Sequence, residues 1–134
     1  MINAVVDACV AGAWVLPDED VEMADLLFRH APAGGLVVPA LWWFELRNLL
    51  LMQERRGRLT EAATTAFLRG LRRLPIEIDR TPGEDVVQLA RQHRLTAYDA
   101  AYLELARRRS LPLATLDRRL AATAVSAGIA LFSP

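Results

Sequence analysis

Apolar positions along the chain fall into two rhythms. Short apolar runs at residues 2–6, 36–38, 75–78, 111–115 and 129–132 are bounded by turn or charged residues, and runs of this length predict strands. Between them apolar residues recur every three or four positions, the pattern of helices with one buried face. The spacing predicts a helical stretch after residue 7 and helices at about 20–31, 41–56, 60–73, 82–93, 97–109 and 117–128. End signals support these spans. Asp18 and Asp20 are candidate caps for the helix near 20–31. Arg55 and Arg56 end the helix over 41–56, with Gly57 just past it. Thr60 can cap the next. Thr81-Pro82-Gly83-Glu84 and Thr96-Ala97-Tyr98-Asp99 both read as capping boxes, the first with Pro at the opening helical position. Asp117 caps the last helix.

Strands alternating with helices predict an α/β fold, a parallel sheet covered on both faces by helices. No repeat, low-complexity linker or internal boundary interrupts it, so residues 1–134 read as one domain. In such sheets ligands bind beyond the carboxyl ends of the strands. Asp7 directly follows the first strand and Asp117 follows the strand at 111–115, which places both at that edge.

Composition changes this picture little. With 53% hydrophobic and 24% charged residues the chain has enough apolar surface for a core and is not disordered. Cys9 is the one cysteine, so no disulfide framework exists. Residues 4–16 are mostly apolar, but Asp7 interrupts them and no basic residue precedes them, unlike a secretion signal. No segment reaches the roughly 18 apolar residues of a membrane span. The expectation is a soluble, cytoplasmic protein.

Charge is more informative. The formal net charge is zero, which argues against a generally basic surface for nucleic acid. Yet all 16 basic residues are Arg, and many stand in clusters: 55, 56 and 58; 72 and 73; 107–109; 118 and 119. Arg forks match phosphate and carboxylate geometry, although clusters at helix ends also serve as solvated caps.

The candidate chemistry is acidic. Asp7, Asp99 and Asp117 each have an ordinary explanation as a cap or capping-box residue. Glu45 does not. Leu41, Glu45, Leu49 and Met52 share a helix face that is apolar apart from Glu45, with Asn48 beside it. An unpaired buried carboxylate is costly, so Glu45 needs a cation or a proton. Asp99 shows the same anomaly, with Tyr102, Leu103 and Ala106 as its helix neighbours. Four carboxylates converging at the strand edge repel one another, and a hard divalent cation such as Mg²⁺ or Mn²⁺ relieves that repulsion. Such a cation serves phosphodiester hydrolysis. Zinc fits poorly, because Cys9, His30 and His93 supply no zinc spacing.

Other phosphate chemistries are excluded. Without Lys there is no Walker-A loop and no receiver-domain lysine. Haloacid-dehalogenase-type phosphatases carry a second Asp two residues after the first, where this chain has Cys9. No Gly-rich dinucleotide fingerprint is present.

The order of motifs resembles the PIN-domain family. Val5-Val6-Asp7-Ala8-Cys9-Val10 is similar to its first strand, and Phe44-Glu45-Leu46-Arg47-Asn48 to its acidic helix. Thr96-Ala97-Tyr98-Asp99-Ala100-Ala101-Tyr102 and Leu113-Ala114-Thr115-Leu116-Asp117 resemble its two C-terminal motifs. The resemblance spans nearly the whole chain, and the length fits VapC-type toxins of toxin–antitoxin pairs. It implies a three-layer α/β/α sandwich and a Mg²⁺- or Mn²⁺-dependent endoribonuclease. Asp7, Glu45 and Asp99 would hold the principal metal. Asp117 would serve a second metal or the water shell, with Thr115 and Asn48 orienting the ligands. A homodimer and a small VapB-type antitoxin covering the site are implied as well.

Many relatives carry Ser or Thr where this chain has Cys9, and a thiol is the weaker hydrogen-bond partner. No His accompanies Cys9 in the motif, so it is not read as a nucleophile. Trp42 and Trp43 point about 100° apart on a helix, so one is expected in the core and the other at a partner contact. Tyr98 and Tyr102 are expected in the core. Two rival readings stay open: a non-catalytic PIN-like protein-binding module, and a related nuclease of RNA processing or DNA.

Overall fold

A computed structural model describes residues 3–16 and 21–133. Ile2, Asp18 and Asp20, a strand residue and two caps expected from the sequence, lie outside the described residues. Strand β1 (Ala4–Val6) leads into helix α1 (Ala8–Ala13), and α2 (Glu22–His30) is followed by a 3-10 turn at Ala31–Ala33. Then come β2 (Leu36–Pro39), α3 (Trp42–Arg55), α4 (Glu61–Leu71), β3 (Ile76–Asp79), α5 (Val86–His93), α6 (Ala97–Arg109), β4 (Leu113–Ala114) and α7 (Arg118–Ser126).

The strands form one parallel sheet in the order β3-β2-β1-β4. Successive strands run outward from β1 through β2 to β3, whereas β4 lies on the other side of β1. The chain therefore reverses its direction of travel between β1 and β4, which opens a crevice at the carboxyl ends of those two strands. Asp7 and Asp117 follow these two strands. The expected last strand at 129–132 is reduced to one parallel bridge, Leu113 to Leu131. Leu113 accepts from Phe132 and donates to Ala130. Two residues later Thr115 turns away into side-chain contacts, so β4 is too short to extend the ladder.

The strands are apolar because the sheet is covered by helices. Every residue of β1 and β2 is buried. Fully buried Trp42, Leu46 and Leu50 of α3, and Tyr102, Leu103 and Leu105 of α6, supply the largest side chains of the core. The fully buried face of α3 is thus Trp42, Leu46, Leu50 and Gln53. The face shared by Leu41, Glu45 and Leu49 is only half-buried, and Met52 is exposed. Trp42 joins the core and Trp43 stays half-buried, its ring edge-on to Trp42 at 4.9 Å.

Thr60, Thr96 and Asp117 cap α4, α6 and α7 through side-chain oxygens, as their sequence patterns predict. Gly57 takes the positive φ of 74° that ends α3. The capping box at 81–84 does not form, and α5 starts only at Val86. Asp79 captures the Thr81 amide at 3.0 Å, an Asx-type turn that competes with helix initiation. Gly83 then passes close to α6: a Cβ there would stand 3.3 Å from Glu104 Oε2 and 2.8 Å from Val86 Cγ2.

Asp79 also ties β3 to the end of α6. Arg108 grips it with two nitrogens at 2.9 and 3.2 Å, and Arg109 adds a contact at 3.1 Å. Arg108 meets Glu104, which is 6% exposed, at 2.6 Å. The Arg108 fork holds the Asp79 carboxyl well below its usual range. A depressed carboxylate pKa stabilises the fold above the unfolded value of about 4, and that stability drains away as pH falls below it. Asp79→Asn is expected to cost about 1–3 kcal/mol at pH 7. Urea unfolding at pH 7 and pH 3 checks this, because the difference between wild type and variant should shrink at the lower pH.

Candidate active site

Asp7 stands at the N-cap position of α1 with extended backbone, but its side chain caps nothing. Its amide still donates to Ala114 of β4 at 2.9 Å, so the residue sits at the crevice itself. The carboxylate is free for other partners. Oδ2 accepts from Thr115 Oγ1 at 2.6 Å and from the Cys9 thiol at 3.2 Å. Thr115 in turn accepts the Asp117 amide at 3.0 Å, and Cys9 accepts the Leu116 amide at 3.3 Å. Thr115 and Cys9 therefore bind the loop after β4 to the loop after β1 and fix the rotamer of Asp7.

Asp117 spends one oxygen on its cap: Oδ1 accepts the amides of Arg119 and Leu120 at 2.9 and 3.1 Å. Glu45, half-buried on α3, also has one oxygen held, since Oε1 accepts from Tyr102 Oη at 2.6 Å. Asp99 lies on the first turn of α6, where only its backbone amide is used, by Thr96 Oγ1 at 3.1 Å. Among the described residues no hydrogen bond engages Asp7 Oδ1, Glu45 Oε2, Asp117 Oδ2 or either oxygen of Asp99.

The four acids are linked through their charges. Burial raises the Glu45 pKa, and the charges of Asp7 and Asp99 raise it further, against the lowering effect of the Tyr102 hydrogen bond. Asp99 is raised by burial first, then by Asp117 and Asp7, with Arg119 opposing. Tyr102 is pushed far above the ordinary phenol value by burial and the neighbouring acids, so its hydroxyl stays a donor. Among the described residues no group of three or more His, Cys, Asp or Glu stands close enough together to hold a metal ion as the side chains are placed.

The donor chemistry nevertheless fits a hard cation. All the free donors are carboxylate oxygens, they belong to residues whose charges oppose one another, and three of the four residues are oriented through their other oxygen. The structure places Asn48 on the exposed side of α3, with Nδ2 3.9 Å from Met52 Sδ and no hydrogen bond to the acids.

Tyr102 is the contact that sequence reasoning missed. The core placement expected for it is correct, but its hydroxyl works on Glu45. The available signal was the choice of Tyr over Phe at a buried position, since a buried phenol needs a partner. Tyr98, also expected in the core, is 64% exposed; as the second residue of α6 it points away from the sheet. Cys9 is part of the hydrogen-bond cluster rather than a passive apolar filler.

Burial, with the Asp7 charge next, pushes the Cys9 thiol up to about 12. At pH 8 almost no thiolate forms, whereas an ordinary thiol near 8.5 is partly ionised. Alkylation of the metal-free protein in EDTA should therefore be at least about a hundred-fold slower than in urea. Equal rates would show an accessible, ionised thiol.

Among the described residues no helix is long and apolar enough to cross a membrane. A sequence model of the PIN domain matches residues 4–126. Ribonuclease VapC3 of Pyrobaculum aerophilum is 35% identical over 124 residues, covering 90% of this chain and 93% of that protein. The crystal structure of PAE2754 from Pyrobaculum aerophilum superposes with a TM-score of 0.72 at 28% identity, covering 91% of this chain and 86% of that one. A toxin–antitoxin complex from Klebsiella pneumoniae contains a chain of the same fold, with a TM-score of 0.55 at 18% identity and coverage of 86% and 87%.

Proposed function

The chain belongs to the PIN-domain family, and on that premise we propose that it is a metal-dependent endoribonuclease toxin held inactive by a cognate antitoxin. The observation that carries this reading is the arrangement of Asp7, Glu45, Asp99 and Asp117. Glu45 feels the charges of Asp7 and Asp99, Asp99 feels those of Asp117 and Asp7, and each of the four keeps at least one carboxylate oxygen free of hydrogen bonds among the described residues. Similarity to Ribonuclease VapC3 supports the ribonuclease activity. The fold shared with a chain of a toxin–antitoxin complex supports the antitoxin partner.

Asp7, Glu45 and Asp99 are assigned to the principal metal, and Asp117 to a second metal or to ordered water. A cation such as Mg²⁺ or Mn²⁺, when bound, neutralises charge on the phosphodiester and acidifies water. The residues supply the rest. Thr115 and Cys9 hold Asp7 through Oδ2, so its other oxygen is left for a ligand at little entropic cost. Tyr102 does the same for Glu45. The raised pKa values of Glu45 and Asp99 mean that these acids resist ionisation beside one another, which a cation would reverse. A small antitoxin segment covering the crevice, and a homodimer, complete the proposal.

The test is cleavage of a structured RNA pool by antitoxin-free protein. Cleavage with Mn²⁺ and none with EDTA is the expected result. Intact RNA in both conditions would favour the protein-binding module instead. Metal is also expected to raise the melting temperature, because binding to the native state at one hundred times Kd adds about 2.7 kcal/mol. A melt unchanged at millimolar Mn²⁺ would oppose the assigned cluster.

A further inference from the structure

The Arg clusters, alike in sequence, differ in what they touch. Arg107, Arg108 and Arg109 are engaged by Asp85, Asp79, Glu104 and Glu77, and Arg119 reaches the Arg94 carbonyl. A groove of about 250 Å³ between α3 and α4 is different. It is lined by Trp43, Arg47, Thr65, Leu68, Arg69 and Arg72, three cations and no acid. None of these three Arg residues is ion-paired among the described residues. Arg69 and Arg72 are exposed. The Arg47 guanidinium lies over two rings, 6.0 Å from the Trp43 centroid and 5.4 Å from that of Phe44. Phe44 is 70% exposed.

These residues lead from the acids to the groove. Relative to Glu45, helix geometry turns Phe44 by about 100°, Arg47 by about 160° and Trp43 by about 200° in the same direction. Phe44, Arg47 and Trp43 thus form a continuous band around α3, from the half-buried acid edge to the cationic groove. Among the described residues Arg47, Arg69 and Arg72 line one groove without an ion pair, and aromatic rings border it. The complement of that surface is a flexible polyanion whose bases are free to stack. A duplex hides its base faces, so a single strand fits best.

We propose that the α3–α4 groove is a second RNA-contacting site, in which Arg47, Arg69 and Arg72 hold the phosphates of a single strand flanking the scissile linkage and Phe44 stacks on a base. This rests on the ribonuclease reading above and adds to it a surface on the side of α3 turned away from Glu45. Trp43 acts as a positioning residue that holds the Arg47 plane.

The test uses full-length, metal-free protein and a labelled, non-cleavable 2′-O-methyl oligoribonucleotide, followed by anisotropy across a range of NaCl. Parallel steady-state cleavage of an ordinary single strand is run in Mn²⁺. Substituting Arg69→Ala and Arg72→Ala together should weaken binding about tenfold and flatten the salt slope by roughly 1.4, about 0.7 per lost phosphate. Arg69→Lys with Arg72→Lys should restore most of the slope. Phe44→Ala should weaken binding about five- to a hundred-fold with the slope unchanged. All three positions are exposed, so melting temperatures should hold, and KM should rise with kcat unaltered.

If the wild type binds and cleaves but the double Ala variant matches it in affinity and slope, the groove is refuted and the ribonuclease stands. If the variants keep RNA affinity but lose a co-expressed partner protein, the groove is a protein interface and the proposal is overturned. If the wild type neither binds nor cleaves RNA, the ribonuclease reading fails and the groove with it.

Discussion

Asp99→Asn is expected to lower the proposed RNA cleavage by at least about 10³-fold, roughly 4 kcal/mol of transition-state stabilisation, and to raise the melting temperature of the metal-free protein. The opposite signs have one cause. Asp99 sits among Asp117 and Asp7 in a partly buried setting that lifts its pKa. A carboxyl whose folded pKa exceeds its unfolded value is harder to ionise in the fold, so at neutral pH its charge opposes folding. Asn removes that charge and keeps the shape. The start of α6 survives, because the cap uses the Asp99 backbone amide and Thr96 Oγ1. The stabilisation should fade as pH falls toward the carboxyl range, where wild-type Asp99 is itself neutral. Activity assays in Mn²⁺ and melts in EDTA read both effects. Full activity in the variant would remove Asp99 from the site, and a lower melting temperature would make its carboxylate structural.

Tyr102→Phe is expected to weaken metal binding and activity by about 10–100-fold, the usual cost of losing a partner that orients a metal ligand. The ring is fully buried, and Phe refills its place. The 2.6 Å hydrogen bond to Glu45 Oε1 is lost, together with the contact of the phenol oxygen with the Ala8 backbone. That bond is the one influence lowering the Glu45 pKa against burial and the charges of Asp7 and Asp99. Without it Glu45 is protonated at higher pH, so the acidic limb of the activity profile should move upward. Stability should fall by only about 1 kcal/mol. A variant with wild-type Mn²⁺ affinity and an unmoved pH profile would reduce Tyr102 to a packing residue.

Most of the fold was legible because its signals are local. Thr60, Thr96 and Asp117 announce helix starts through side chains that bond amides two or three residues away. Asp7, Glu45, Asp99 and Asp117, the proposed site, stand out in the sequence for two reasons: two of them end strands, and the other two interrupt apolar helix faces. The errors have equally specific causes. The start of α5 was misplaced because Asp79, locked by Arg108 and Arg109, takes the Thr81 amide that a helix cap would need. Tyr98 was misplaced because an apolar neighbourhood in sequence does not reveal which side of α6 meets the sheet.

The sequence by itself determined the alternation of strands and helices, the caps, and the placement of acids at strand ends and on otherwise apolar faces. These follow from periodicities of two and 3.6 residues and from capping geometry, which act within a few positions. Only the tertiary structure decided that β4 pairs beside β1 and so opens the crevice between Asp7 and Asp117. It alone showed that Tyr102 reaches Glu45 across 57 positions, and Thr115 reaches Asp7 across 108. It also decided which Arg clusters are neutralised by acids and which groove keeps its charge. Such contacts depend on strand order and on the packing of helices far apart in the chain, and no local pattern carries that information.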